Sequence, residues 1–529
     1  MAKITVDGIE VEVQDGINLV EAAKAAGVHV PHFCYHPALS TVGQCRMCLV
    51  EIEGMPKLQA GCATAVKDGM DIHVYNEKVD KARKGQMEFL LINHPLDCPI
   101  CDKSGECPLQ DYSFNYGTVD SRYGEVKRTY PGMDRTAIGP HVLQNMNRCI
   151  HCTRCIRFTD EITGTGELAF FKRGASTEVG VFPGTPLDNW MSACVTDICP
   201  TGALTTREFR FESRVWNLAQ TESVCNGCDV GCNIFIEHRQ GKIYRYKPRV
   251  NPEVNDFWLC DYGRFSHERY ETDRFVVPRV RRDDWLGVAT WEEALEEIEA
   301  RLEELTGGKI AAIASAQMTN EEAWLFRKLF KDHLGASVDV MVDPIGPIPM
   351  KSRDAWIEGT QAGPNYRGVR DVGIEAGDRA IAQLLDEGAG GIDFLWVSDA
   401  GFSSRSAEPE VVEGLRKARF LVVQATADHP LAEVADVVLP SAIFAEKSGT
   451  WTNLQGRVQR ITRAYSPKGE ALEDSEIYRR LGARIGAGPE FGQIGAGQTF
   501  DQMRNELPAF RNLQWNEGEG FGVTSGEGA

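Results

Sequence analysis

Sixteen cysteines crowd into less than half of this 529-residue chain: the first is Cys34, the last Cys260, and the final 269 residues have none. Few folds accommodate that pattern. Disulfide frameworks belong mainly to small secreted domains. This chain opens Met1-Ala-Lys-Ile-Thr-Val, which reads as a strand and lacks the apolar core of a signal peptide. The expected compartment is therefore the cytoplasm, where thiols stay reduced and clustered cysteines hold metal. No run of about 18 apolar residues offers a membrane span. A net charge of −19 argues against a nucleic-acid partner, because binding phosphate requires a basic face. Its plain meaning is a solvated acidic surface. The length suggests three to five domains at roughly 100–200 residues each.

The cysteines sort into four sets in chain order. The first is Cys34, Cys45, Cys48 and Cys62, with gaps of 10, 2 and 13 residues. Ahead of it, Ile4 and Val6, the turn pair Asp7-Gly8, and alternating Ile9, Val11 and Val13 read as a hairpin. Asn18 to Ala26 reads as a short helix ended by Gly27. This order suits a small ferredoxin-like β-grasp domain, and four thiolates suit a [2Fe–2S] cluster. The central pair sits on a glycine-led loop, Gly43-Gln-Cys45-Arg-Met-Cys48, which lets backbone N–H groups approach sulfur. Zinc is the competing occupant, although zinc ribbons favour two C-x2-C knuckles.

The second set is Cys98, Cys101 and Cys107 with His94. Three cysteines need a fourth ligand to complete a [4Fe–4S] cluster. No further cysteine lies within 40 residues on either side except Cys62, already assigned, so His94 is the candidate. A neutral imidazole makes the site less negative and alters its potential. The third set is Cys149, Cys152 and Cys155, the bacterial ferredoxin run, completed by the distant pair Cys199-Pro200. Cys194 competes with Cys199 for that place and otherwise reads as a small buried hydrophobe. Arg148, Arg154 and Arg157 nearby read either as compensating charges or as surface residues. The fourth set is Cys225, Cys228, Cys232 and Cys260. Two strand-like segments, Asn233–Glu237 and Lys242–Tyr246, fill its long gap, and zinc competes with a cubane here too.

The cysteine-free half alternates helices and strands. Trp291–Leu305 is an amphipathic helix, Lys309–Ser315, Gly391–Ser398 and Phe420–Val423 read as strands, and Thr319-Asn-Glu-Glu322 reads as a capping box. That alternation predicts an α/β domain with a largely parallel sheet. Pro344 to Arg370, rich in Gly and Pro, reads as a long surface loop, and Gly518–Ala529 as a disordered end. No glycine-rich dinucleotide fingerprint is evident.

The four sets, with Arg154-Cys-Ile-Arg-Phe-Thr-Asp-Glu161 and Cys199-Pro-Thr-Gly-Ala-Leu204, resemble the large iron–sulfur subunits of NADH:quinone oxidoreductase, respiratory complex I (the G subunits of bacteria). The resemblance covers most of the chain and is strongest over residues 1–265. It implies a [2Fe–2S] cluster, a His-ligated [4Fe–4S] cluster and an all-Cys [4Fe–4S] cluster in the first three sets. The fourth set looks like an additional [4Fe–4S] cluster carried by some bacterial members, away from the main electron path. Ala427-Asp-His-Pro, Ala435-Asp-Val-Val-Leu-Pro440, Glu446-Lys-Ser-Gly-Thr450 and Asn453-Leu-Gln-Gly-Arg457 are similar to molybdopterin oxidoreductases. That half is short, and no cysteine after Cys260 is present to ligate molybdenum, so no molybdopterin is expected.

The implied architecture is multidomain α+β and α/β. It runs as a β-grasp [2Fe–2S] domain over 1–78, a [4Fe–4S] domain with one histidine and three cysteine ligands over 79–140 and a four-cysteine ferredoxin-like domain over 141–217. An additional [4Fe–4S] domain over 218–275, a molybdopterin-oxidoreductase-like α/β scaffold over 276–515 and a disordered tail over 516–529 follow. The implied function is an electron-transfer subunit in the peripheral arm of a membrane-associated, translocating respiratory-chain complex. It has no substrate site of its own, FMN and NADH lie on a partner flavin subunit, and quinone-side iron–sulfur subunits are its other partners. Its expected place is the cytoplasmic side of the inner (plasma) membrane, touching the membrane only through the complex. A molybdenum-dependent, NAD-linked formate dehydrogenase subunit and a hydrogenase diaphorase subunit are the alternatives; a zinc-stapled scaffold is the non-redox one.

Overall fold

The computed structural model describes residues 1–270, 272–305, 307–340, 344–351, 356–374, 389, 391–398, 404–515 and 523–524. It divides into two compact units, Met1–Leu218 and Ala219–Ala529. Among the described residues no helix is long and apolar enough to cross a membrane.

The first unit begins with β1 (Ala2–Val6) and β2 (Ile9–Val13), which pair antiparallel. Asp7 at φ 46° and Gly8 at φ 82° are both left-handed, the backbone that a two-residue hairpin turn requires. α1 (Leu19–Ala25) follows, capped by Asn18, whose side chain accepts from the Val20 and Glu21 N–H groups. With β3 (Leu49–Ile52), β4 (Gln59–Ala60) and β5 (Asp71–His73) the sheet runs in the order β2–β1–β5–β3–β4. Ile4, Val6, Leu19, Val20, Val50 and Ile72 form its buried core. This is the β-grasp arrangement that the alternation anticipates. Helices α2 (Glu77–Leu91) and α3 (Pro108–Tyr116) come next. The three-stranded sheet of Thr136–Ala137, Val142–Gln144 and Leu204–Thr206 and the hairpin Leu168–Phe171/Glu178–Val181 complete the unit.

The second unit opens with an antiparallel sheet of Ala219–Val224, Asn233–Arg239 and Lys242–Pro248. Its larger sheet has seven strands. Five are parallel, in the spatial order Val437–Pro440, Leu421–Ala425, Phe394–Ser398, Ile310–Ala314, Ser337–Val340. The antiparallel hairpin Arg279–Arg282/Trp285–Val288 borders it. The order reverses between Ile310–Ala314 and Phe394–Ser398, the switch point at which open α/β sheets bind ligands. Thr290 and Thr319 each make a capping box, opening Trp291–Glu304 and Asn320–Phe326.

One expectation fails. Pro344 to Arg370 is not a long surface loop: Pro344–Lys351 and Trp356–Gln361 form an antiparallel hairpin, and Tyr366–Asp371 is a helix. Proline costs a strand only its ladder N–H, and a two-stranded ribbon consists of edges, where that loss is tolerated. The tail over 516–529 lies outside the described residues, apart from Val523–Thr524, which pair with Arg457–Val458.

Candidate cluster sites

The first-set cysteines lie on the segments flanking β3 and beside β4, and all four are buried. The Phe33 and Cys34 N–H groups point at Cys45 Sγ from 3.4 and 3.5 Å. Gly43, at φ 60°, gives the loop a left-handed turn ahead of Cys45. Contact with Cys45 and then Cys62 makes Cys34 hold its proton loosely, while Cys62, in contact with Cys34 and Cys48, is pushed up. The four thiols thus adjoin one another, as the ligands of a single cluster would.

The second set is more open. His94, Cys98 and Cys107 line one cavity of about 710 Å³. Cys101 lies within electrostatic reach of both Cys98 and Cys107. Nδ1 of His94 is buried without a hydrogen-bond partner. Burial, then the Arg148 and Lys127 charges, lowers this histidine to about 4, so its imidazole is neutral, as a ligand must be. Cys107 precedes α3 and receives the Leu109 and Gln110 N–H groups, although burial still pushes its thiol up to about 11.

The third set surrounds a small cavity lined by Cys149, Cys152, Cys155 and Cys199. Cys194 is fully buried elsewhere, in the helix Cys194–Ile198. His151 at φ 54° and Thr153 at φ 65° curl the chain around the sulfurs, and the His151 N–H reaches Cys149 Sγ at 3.3 Å. Burial is the main force raising Cys149, Cys152 and Cys155. Nearby arginines oppose it at Cys152. Arg148 and Arg157 are 4% and 6% exposed, so neither is a surface charge. Arg148 is paired with Asp97 at 2.9 Å.

The fourth set is the most enclosed, with Cys225, Cys228, Cys232 and Cys260 all at 3% exposure or less. The Gly227 N–H points at Cys225 Sγ (3.4 Å) and the Gly263 N–H at Cys260 Sγ (3.3 Å). Burial raises Cys225 to about 11 and drives Cys228 and Cys232 well above the ordinary thiol value. Buried thiols with such reluctance to ionise suit a cationic iron load that converts them to thiolates.

Cysteine spacing does not reveal the glycines behind these sulfurs. A Cβ on Gly202 would sit 2.2 Å from Cys101 Sγ, and one on Gly263 would sit 2.7 Å from Cys225 Sγ. On Gly359 it would sit 2.9 Å from Cys228 Sγ. Gly202 and Gly263 each stand three residues after a cysteine, a signal available in the sequence; Gly359 is remote from its cysteine and gives none. The Asn453-Leu-Gln-Gly-Arg457 passage, one of those similar to molybdopterin oxidoreductases, here braces the fourth set. Asn453 donates to Val230 O, the Leu454 N–H to Asp229 O, and Gln459 to Gly231 O.

The switch-point crevice is filled among the described residues. Ser315, Gln317, Ser398, Gln424, Ser441, Lys447 and Asp474 line a cavity of only about 30 Å³. Lys447 crosses it, bonded to Glu322 at 2.7 Å and Asp474 at 3.0 Å. Small-molecule sites occupy roughly 300–1,000 Å³, and this cavity, among the described residues, is far smaller.

Five family models match the chain. A 2Fe-2S iron-sulfur cluster binding domain covers 1–77, the NADH-ubiquinone oxidoreductase-G iron-sulfur binding region 83–122, and the ferredoxin-like domain of NADH-quinone oxidoreductase subunit 3 139–205. The NDSU1/NuoG-like 4Fe-4S domain of NADH-ubiquinone oxidoreductase covers 218–268, and molybdopterin oxidoreductase 357–484. The NADH-quinone oxidoreductase G subunit of Rickettsia felis is 33% identical over 97% of this chain and 92% of its own length. The mitochondrial NADH-ubiquinone oxidoreductase 78 kDa subunit of Candida albicans is 32% identical over 92% of this chain and 83% of its own. A solved chain of an NAD+-reducing [NiFe]-hydrogenase is 28% identical and covers 40% of this chain and 91% of its own, but its TM-score of 0.36 does not establish a shared fold. Iron–sulfur domains in this order, with such identity along nearly the whole length, place the chain in the family of NADH-quinone oxidoreductase G subunits.

Proposed function

We propose that this chain carries electrons one at a time through the peripheral arm of an NADH:quinone oxidoreductase, between a flavin subunit that binds NADH and FMN and iron–sulfur subunits on the quinone side. The observation that carries this reading is the convergence of four donor sets in a chain of this family. Cys34, Cys45, Cys48 and Cys62 would hold a [2Fe–2S] cluster. His94, Cys98, Cys101 and Cys107 would hold a [4Fe–4S] cluster, as would Cys149, Cys152, Cys155 and Cys199, and also Cys225, Cys228, Cys232 and Cys260. The bound clusters supply reversible one-electron chemistry. The protein contributes fixed ligands, N–H donors aimed at sulfur and exclusion of water. His94 leaves its site one negative charge short of an all-thiolate set. The domain divisions at 78, 140, 217, 275 and 515 belong to this reading, as does a place on the cytoplasmic side of the membrane. The crevice occupied by Lys447 supports a scaffold role for the C-terminal half.

Metal and sulfide analysis of anaerobically purified protein tests the proposal, together with EPR of the reduced sample. About 14 irons per chain, two from the [2Fe–2S] and four from each cubane, is the expected result. Zinc in their place sinks the relay, and stoichiometric molybdenum overturns the scaffold role.

A further inference from the structure

We propose that Arg154 is a positioning and tuning residue shared by the first and third ligand sets, its guanidinium clamping the Cys34 segment to the Cys155 helix and raising the potentials of both sets together. This rests on the relay reading above. Arg154 stands in the one-turn helix Arg154–Arg157 beside Cys155. One arm donates to Ile198 O at 3.1 Å, next to Cys199; the other donates to Tyr35 O, next to Cys34. Its charge is felt by Cys152 and Cys199 of the third set and by Cys34 and Cys45 of the first. A planar fork with a permanent charge suits this double engagement, whereas a lysine ammonium reaches one point at a time.

The surroundings magnify the effect. Arg157, three residues on, donates to Cys34 O and Ser40 O, and its Nε meets Thr153 Oγ1 at 3.2 Å. Gln44 donates to His151 O at 2.8 Å, and the Ser40 N–H to Glu161 at 2.7 Å. The Cys34–Gln44 loop is thus tied to the third-set loop and helix at several points. Cys34, Cys45 and Cys152 also share one buried apolar cluster with Phe33, Met47 and Leu109. Arg154 is half-buried against this cluster, so its charge is screened by salt less than a surface charge would be. Losing it favours the oxidised, less negative state at both sets.

The test is EPR-monitored redox titration of the full chain loaded with its clusters. The fourth set, whose Cys225 answers to Arg269 and Arg264, serves as the reference. Arg154→Gln should lower both the first- and third-set potentials by about 59 mV, a tenfold change in the oxidised-to-reduced ratio, and leave the fourth unmoved. Arg154→Lys, which keeps the charge, should hold both ratios within about twofold of the native values. A shift at one set alone, at neither, or equally in the two variants overturns the assignment while leaving the relay intact. If Arg154→Gln fails to hold iron, Arg154→Lys decides: near-native potentials support the charge role, and a tenfold fall refutes it. A native chain without iron would instead defeat the relay reading itself.

Discussion

The second unit treats two places suited to a cofactor in opposite ways. Around Cys225, Cys228 and Cys260 it withdraws side chains, setting Gly227, Gly263 and Gly359 against the sulfurs. At the carboxyl ends of the parallel strands it fills the space, laying Lys447 across Glu322 and Asp474 with Gln424 and Ser441 beside them. The proposed cluster site shows missing Cβ atoms and buried thiols. A closed site shows polar groups that satisfy one another. The lesson is that the side chains at a site, more than the fold around it, say whether a ligand belongs there.

The sharpest way to break this contrast is Gly263→Ala. Gly263 is in helical backbone, where alanine is ordinarily the better residue. Only the sulfur stands in the way, 2.7 Å from the new Cβ. The expected loss is one cubane, about four irons per chain by metal analysis, with about ten retained. Gly85→Ala, inside α2 where a Cβ meets nothing within 4 Å, should keep every iron. Full iron in Gly263→Ala would show that this glycine is not needed for the site.

Next in size is Lys447→Ala, which leaves Glu322 and Asp474 buried without their cation. Breaking a buried pair in this way costs roughly 3–5 kcal/mol. Denaturant unfolding should show that loss, and molybdenum analysis should show no metal gained. Unchanged stability would mean that the ion triad does not hold the crevice shut.

Much of this was legible in the chain. The hairpin around Asp7-Gly8, the short helix that follows Asn18 and the Thr319 capping box are local events, written in adjacent residues and observed as expected. The grouping of the cysteines was also legible, because metal chemistry demands particular residue types at short spacings, and the structure brings the members of each proposed set near one another. What was hidden is long-range. The exception is the hairpin inside Pro344–Gln361, which is local but whose prolines mask its strand character. Gly359 against Cys228, Arg154 against Tyr35 and Lys447 against Glu322 join residues 131, 119 and 125 positions apart, which spacing rules do not reach.

The smallest effect concerns Glu321, beside the triad but bonded to neutral groups. Its carboxylate accepts from the Thr450 N–H at 2.9 Å and from the Thr450 hydroxyl at 2.8 Å. Burial outweighs these bonds and raises it to about 7 from 4.5. Between those values the folded chain holds a proton that the unfolded chain has released. Glu321 therefore contributes stability that is full below pH 4.5 and lost as pH rises through 7, up to roughly 3 kcal/mol. Denaturant unfolding at pH 5.5 and pH 8 reads this directly. Glu321→Gln, neutral at both, should shrink the difference without abolishing it, because burial likewise raises Glu322 to about 7. An undiminished difference would mean that Glu321 is already ionised in the fold, and that the polar groups beside the Lys447 triad do not satisfy one another as the contrast with the cysteine sites requires.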